Sequence, residues 1–213
     1  MFLSPLQARL LFQVALEERF AILAINADSP AAITDCLEAA REVDAPVIIE
    51  TSLWQLNGRS FGAGDPALGL ARYLVQLILL AESDRYRDLP VLLHTDHIQG
   101  PVTLPLLRAA VRGLPTGVSG TVASPSTLSL DSSRLTATEN IEAIVSLARE
   151  SAACGRPVTL EMEAGIDDGV TPPAVTESLL GQVESRAPGV VHLWAPGVGT
   201  RHGLTDSGGF SAD

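Results

Sequence analysis

The chain's 213 residues are enough to bury one sizeable core, and no stretch reads as a flexible linker, so a single domain over 1–213 is expected. A formal charge of -11, with arginine dominating the scattered cations, argues against a protein that tracks a nucleic-acid backbone. Hydrophobic residues make up 46% of the chain but aromatic ones only 4%, so Leu, Val, Ile and Ala must build the core, which suits helices on a buried parallel sheet better than a β-sandwich.

The opening Met1-Phe2-Leu3-Ser4-Pro5 carries no basic residue. The apolar stretch Leu10 to Leu16 is broken by Gln13 and followed by Glu17-Glu18-Arg19, which argues against a secretory signal. Buried-strand patterns then recur at Phe20 to Asn26, Ala45 to Thr51, Leu89 to Thr95, Leu128 to Asp131, Val158 to Glu163 and Gly189 to Ala195. Helical patterns fill the intervals. Asp28-Ser29-Pro30 opens one whose apolar face is Ile33, Cys36, Leu37 and Ala40, and Asp65-Pro66 opens another through Leu70, Leu74, Leu77, Ile78 and Ala81. The run Tyr73 to Ala81 is too short to span a membrane. Leu106 to Val111 is a shorter helix ended by Gly113, and Leu114 to Thr127 reads as a loop or irregular β segment. Thr136 and Glu139 form a capping-box pattern ahead of Ile141, Ile144, Val145 and Ala148, and Thr171-Pro172-Pro173 precedes Val175, Leu179 and Val183. Cys36 and Cys154 fall in expected helices and form no metal set, so both are expected as buried free thiols in a reducing, cytoplasmic compartment.

About six βα units give either an open doubly wound sheet or a barrel, and both place chemistry at the carboxyl ends of the strands. Polar residues gather there: Asn26, Glu50-Thr51-Ser52, His94-Thr95-Asp96-His97, Asp131, and Glu161 with Glu163. No Gly-x-Gly-x-x-Gly turn follows the first strand, and no Gly-x-Ser-x-Gly elbow is present.

His97, Glu163 and His202 lie at strand ends or just beyond them and suit Zn²⁺ or another divalent ion, although a histidine that merely hydrogen-bonds at a strand end fits His97 too. Asp96 is either a general base or a loop carboxylate. Glu161 and Glu163 share one strand face, so at least one should have a cationic partner. The glycine-bearing stretch Ala195 to Gly203 fits an anion-binding nest or a plain turn, and His192, at the start of its strand, reads as structural.

These residues resemble the class II, metal-dependent fructose-bisphosphate and ketose-bisphosphate aldolases. The likeness runs in order through Phe20-Ala21-Ile22-Leu23-Ala24-Ile25-Asn26, Ala45-Pro46-Val47-Ile48-Ile49, Pro90 to His97, Asp131, Glu139-Asn140-Ile141, Leu160-Glu161-Met162-Glu163-Ala164-Gly165 and His202-Gly203. It implies an α/β fold of the TIM-barrel type, incomplete here, that cleaves a ketose bisphosphate to dihydroxyacetone phosphate and an aldehyde through an enediolate. It further implies Asp96 as catalytic acid/base, His97 and His202 as metal ligands, and Glu163 at an alternative metal position. Asn26 and Ser52 then contact substrate, Asp131 lies near the metal, and Gly203 offers a backbone contact near the substrate phosphate. His94 is a further possible ligand.

Departures from the family accompany the resemblance. The usual histidine of a His-Gly-Gly-Ser-like segment is absent, and Leu204-Thr205-Asp206 stands where a phosphate-contacting lysine is usual. The Glu50 to Gly64 region, and Asp96-His97 with Gly100-Pro101, resemble tagatose-bisphosphate aldolase accessory subunits. The alternative expectation is therefore a noncatalytic subunit partnering a full-length aldolase. Unpaired sheet edges make a homo-oligomer or such a partner expected.

Overall fold

The computed structural model describes residues 1–100, 102–165 and 169–199. The first helix, α1 (Pro5–Glu18), begins at Ser4, whose hydroxyl accepts from the Gln7 N–H while the Gln7 side chain accepts from the Ser4 N–H. After it come β1 (Leu23–Asn26), α2 (Pro30–Glu42) and β2 (Val47–Thr51). The short α3 (Leu53–Asn57) and the apolar α4 (Pro66–Ala81) lead to β3 (Val91–Thr95) and α5 (Thr103–Arg112). A small hairpin of β4 (Leu114–Pro115) and β5 (Val122–Ala123) precedes β6 (Thr127–Leu128), α6 (Ala137–Cys154), β7 (Leu160–Glu163), α7 (Pro173–Arg186) and β8 (Val191–Ala195). Among the described residues no helix is long and apolar enough to cross a membrane.

Six strands form one parallel sheet in the order β1-β2-β3-β6-β7-β8. A doubly wound sheet would reverse its strand order part-way along. Here neighbours follow the chain without reversal, the order of a (β/α) barrel with six of its units, an incomplete TIM-type barrel. The register places Ile25, Ile49 and Leu93 side by side, and one step on it aligns Asn26, Glu50 and His94. The ladder thus brings the polar strand ends to one level.

Leu37, Leu70, Leu74, Leu77, Leu107 and Ile144 pack against the sheet as the outer layer of the main core. Below the sheet, α1 closes the amino ends of the strands. Leu3 and Ala8 bury against Leu92, with Leu11, Phe12 and Ile48 around them. The closure is also polar: the Leu3 N–H donates to Val91 O at 2.9 Å, the Ser126 hydroxyl donates to Leu3 O at 2.6 Å, and the Thr159 hydroxyl donates to Pro5 O at 2.8 Å. The amino group of Met1 donates to the carbonyls of Tyr86 and Leu89.

Several expectations change. Helices α1 and α3 were not among those expected. The strands start two or three residues late because the ladder begins where neighbours overlap, Leu23 opposite Val47 and Val47 opposite Val91. The expected strand Leu128 to Asp131 shrinks to Thr127–Leu128, since the Thr95 hydroxyl donates to Ser129 O and accepts from Ser129 N–H where ladder bonds would otherwise run. Cys36 is half-buried, but Cys154, at the last turn of α6, is exposed, which corrects its expected burial.

Candidate active site

At the carboxyl end of β1, Asn26 donates its amide to Asp96 Oδ2 at 2.7 Å and more weakly to Glu50 Oε2 at 3.3 Å. One amide therefore holds two carboxylates from neighbouring loops and strands. Its orientation is set by Gln55, a buried residue of α3 whose Nε2 donates to Asn26 Oδ1 at 3.4 Å. Gln55 is itself fixed by the Ser52 N–H and hydroxyl, both donating to its Oε1. The Ser-x-x-Gln spacing of a capping box was the signal available for this residue, and sequence reasoning missed it. Ser52 thus caps α3, and the Asn26 side chain bridges Asp96, Glu50 and Gln55.

On β3, two residues before Asp96, His94 is almost fully buried and links three strands. Its Nδ1 lies 2.7 Å from Thr127 Oγ1 and its Nε2 lies 3.6 Å from Glu161 Oε1. Burial alone would lower the imidazolium pKa, but Glu161, with Glu50 and Asp96 behind it, outweighs that and holds it above the ordinary value. Glu161 is correspondingly held low, against the push of burial, by His94. The cationic partner expected for one of the two glutamates is therefore His94. With both ring nitrogens taken up, His94 forms the floor of the site rather than part of a metal set.

His97 stands at the mouth with φ 45, a left-handed backbone that a non-glycine residue adopts at a cost of about 1 kcal/mol or more. Its Nδ1 lies 3.3 Å from Asp131 Oδ2, and its Nε2 lies 3.9 Å from Asp96 Oδ2. Burial opposes its charging, while Asp96 and Asp131 raise its pKa above the ordinary value. Asp131 is buried and accepts from Gln99, from the Ser133 N–H at 2.9 Å and from the Ser133 hydroxyl at 2.6 Å. Those bonds win over burial and keep its carboxyl ionised below the usual range.

Glu163 accepts from the Ser129 hydroxyl at 3.1 Å and the Ser132 N–H at 3.2 Å. Burial, with Asp131 adding repulsion, still pushes its carboxyl up to about 7. Asn140 donates to the Glu163 carbonyl at 2.9 Å, locking the end of β7 to α6. At Gly165, with φ 73, an added Cβ would meet Ser132 O at 3.0 Å, so the chain after β7 needs glycine to pass this close.

The structure thus gathers Asn26, Asp96, His97, Asp131 and Glu163 at one end of the sheet, with Ser52 beside them. His202 and Gly203 lie outside the described residues. His192 pairs its Nδ1 with Val190 O at 3.0 Å near the start of β8, away from the mouth. Five carboxylates face two imidazoles here, and a desolvated carboxyl with a raised pKa is a group that a cation would hold ionised, so the donor chemistry fits a divalent metal. Among the described residues, however, no three His, Cys, Asp or Glu side chains converge closely enough to hold one. Completion would require a donor from beyond them.

The family model for class-II fructose-bisphosphate aldolase matches residues 7–212. The chain belongs to that family. A fructose-bisphosphate aldolase of Candida albicans is 34% identical over 169 residues, which cover 75% of this chain and 45% of the relative. One from Nostoc sp. is 36% identical over 103 residues, 48% of this chain and 25% of the relative. The solved fructose-bisphosphate aldolase of Campylobacter jejuni superposes with a TM-score of 0.74 at 26% identity, covering 96% of this chain and 60% of that one. The chain thus spans less than half the length of these curated relatives. The superposition carries the barrel assignment independently of strand order.

Proposed function

We propose that the chain is a metal-dependent aldehyde-lyase that cleaves a ketose bisphosphate, of the fructose- or tagatose-bisphosphate kind, to dihydroxyacetone phosphate and an aldehyde. The observation that carries this reading is the Asp96 carboxylate, pinned by the Asn26 amide at 2.7 Å and set beside the turned His97. A carboxylate so held cannot swing away, and its proton-accepting edge stays at the mouth where a bound sugar would lie.

In this reading Asp96 takes the proton from the hydroxyl beside the scissile carbon–carbon bond. That bond breaks as the hydroxyl becomes the aldehyde carbonyl, its electron pair moves to the ketose half as an enediolate, and a proton returned to that carbon completes dihydroxyacetone phosphate. His97, Glu163 and His202 are the residues that would hold Zn²⁺ or another divalent ion, with Asp131 orienting the His97 ring through Nδ1. When bound, such an ion supplies Lewis-acid polarisation of the substrate carbonyl. Asn26 and Ser52 are assigned to the substrate side of the mouth, and Gly203 to the substrate phosphate. The setting proposed is cytoplasmic carbohydrate metabolism, glycolysis included.

The test is cleavage of fructose and tagatose bisphosphates by the zinc-loaded chain, with triose phosphate formation as the readout. Cleavage should disappear with chelator and with Asp96→Asn. Cleavage that survives both would remove the reading.

One feature favours a second reading, a noncatalytic subunit of a longer aldolase. The β1 edge exposes Leu23 at 66%, and α1 exposes Leu6, Leu10 and Val14 at one-turn spacing, an apolar surface of the sort that partners cover. This reading expects co-purification with a full-length class II aldolase and no cleavage by the chain alone. An active chain that binds no such subunit overturns it.

A further inference from the structure

The cavity beside His97 has a different chemistry from the acid-lined mouth. It has a volume of about 590 Å³ and is walled by Leu53, Trp54 and Asn57 of α3 and by His97, Gln99 and Arg134 of the loops after β3 and β6. The mouth collects Glu50, Asp96, Asp131, Glu161 and Glu163. The cavity, among the described residues, is lined by no carboxylate at all. Among the described residues its one permanent cation is Arg134, which is exposed and enters none of the salt bridges that engage Arg41, Arg85, Arg87, Arg112 and Arg186.

A guanidinium offers five N–H donors in a planar fork that matches a phosphate face, and the Asn57 amide adds donors to the same lining. The Trp54 indole, 74% exposed, forms an apolar wall too open to be explained by core packing. A volume of this size takes a three- or four-carbon chain with its phosphate. Among the described residues, Arg134 sets a cationic side chain at this rim for an anion that the carboxylates of the mouth repel.

We propose that this cavity is an anion subsite in which Arg134 binds a phosphomonoester group of the substrate while Trp54 flanks the carbon chain. The subsite deepens the aldolase reading and rests on it for the identity of the substrate. Its charge preference follows from the lining alone.

Trp54 supplies the readout. The chain has two tryptophans, so Trp194→Phe leaves Trp54 as the only indole, and its fluorescence is followed during titration with glycerol 3-phosphate and, separately, glycerol. A saturable change with glycerol 3-phosphate and none with glycerol is expected. Arg134→Gln should weaken binding about tenfold or more, the effect of losing a charge-assisted hydrogen-bonded contact, and Arg134→Lys should recover part of it. Because Arg134 is exposed, the unfolding midpoint should not move in either variant. Equal affinity in Arg134→Gln, an equal response to glycerol, or no saturable response overturns the subsite. The measurement needs neither turnover nor metal. Arg134-dependent binding by a chain that does not cleave ketose bisphosphates keeps the subsite and removes the aldolase reading, whereas cleavage by a chain whose binding ignores Arg134 does the reverse.

Discussion

The two ends of the same sheet are built on opposite terms. At the amino ends, α1 seals the strands with Leu3, Ala8 and Leu92, and the polar groups present are spent on carbonyls, as with Ser126 on Leu3 O and Thr159 on Pro5 O. At the carboxyl ends, two or three residues further along the same strands, carboxylates crowd together and one of them, Glu163, is pushed up to about 7. A fold selected only for stability would not leave a desolvated carboxyl among other acids. The base carries stability, and the mouth carries uncompensated charge.

Exchanging damage between the two ends should separate these terms. The largest effect is expected from Asp96→Asn, which should lower cleavage by ~10²–10⁴-fold while moving the urea midpoint little, as loss of a positioned acid/base does. At the base the pattern inverts. Leu92→Ala should cost ~2–5 kcal/mol of unfolding free energy with an unchanged m-value, the usual cost of a cavity at a fully buried leucine. If Leu92→Ala left stability intact, the seal by α1 would be dispensable.

The pH dependence sharpens the contrast. A carboxyl whose folded pKa is raised contributes stability below its ordinary range and loses it as pH rises through the folded value, here about 7. The metal-free chain should therefore lose on the order of 2 kcal/mol between pH 5 and pH 8 on account of Glu163, and Glu163→Gln should remove most of that decline. His94, also raised, adds a smaller loss in the same direction as pH rises through its folded value. Thermal unfolding at the two pH values reads both. A steeper decline in Glu163→Gln would reverse the assignment. The smallest effect is expected at the cap of α6: Thr136→Ala should cost ~1 kcal/mol, because the Glu139 N–H loses its side-chain acceptor.

The mouth was legible because a buried parallel strand has little use for polar residues, so Asn26, Glu50, Asp96 and Glu163 stood out against the apolar runs that precede them. The helices α2, α4, α6 and α7 were legible from caps and 3.6-residue periodicity. Helix α1 was not, since its buried side is mostly Pro5, Ala8 and Ala15, small residues that leave no apolar stripe. The contact from Gln55 to Asn26 and the floor pair His94–Glu161 were obscured for another reason: they depend on which partner each polar atom meets across strands, and spacing within one segment does not encode that. The short β6 depends likewise on the Thr95 hydroxyl replacing ladder bonds at Ser129.

Zinc uptake at equilibrium dialysis, measured for the full chain and for His97→Ala combined with His202→Ala, reads whether the mouth holds a divalent ion through these two imidazoles. One tightly held ion per chain, lost in the double variant while the fold persists, is the predicted result. Equal uptake by both chains, or none by either, would contradict it.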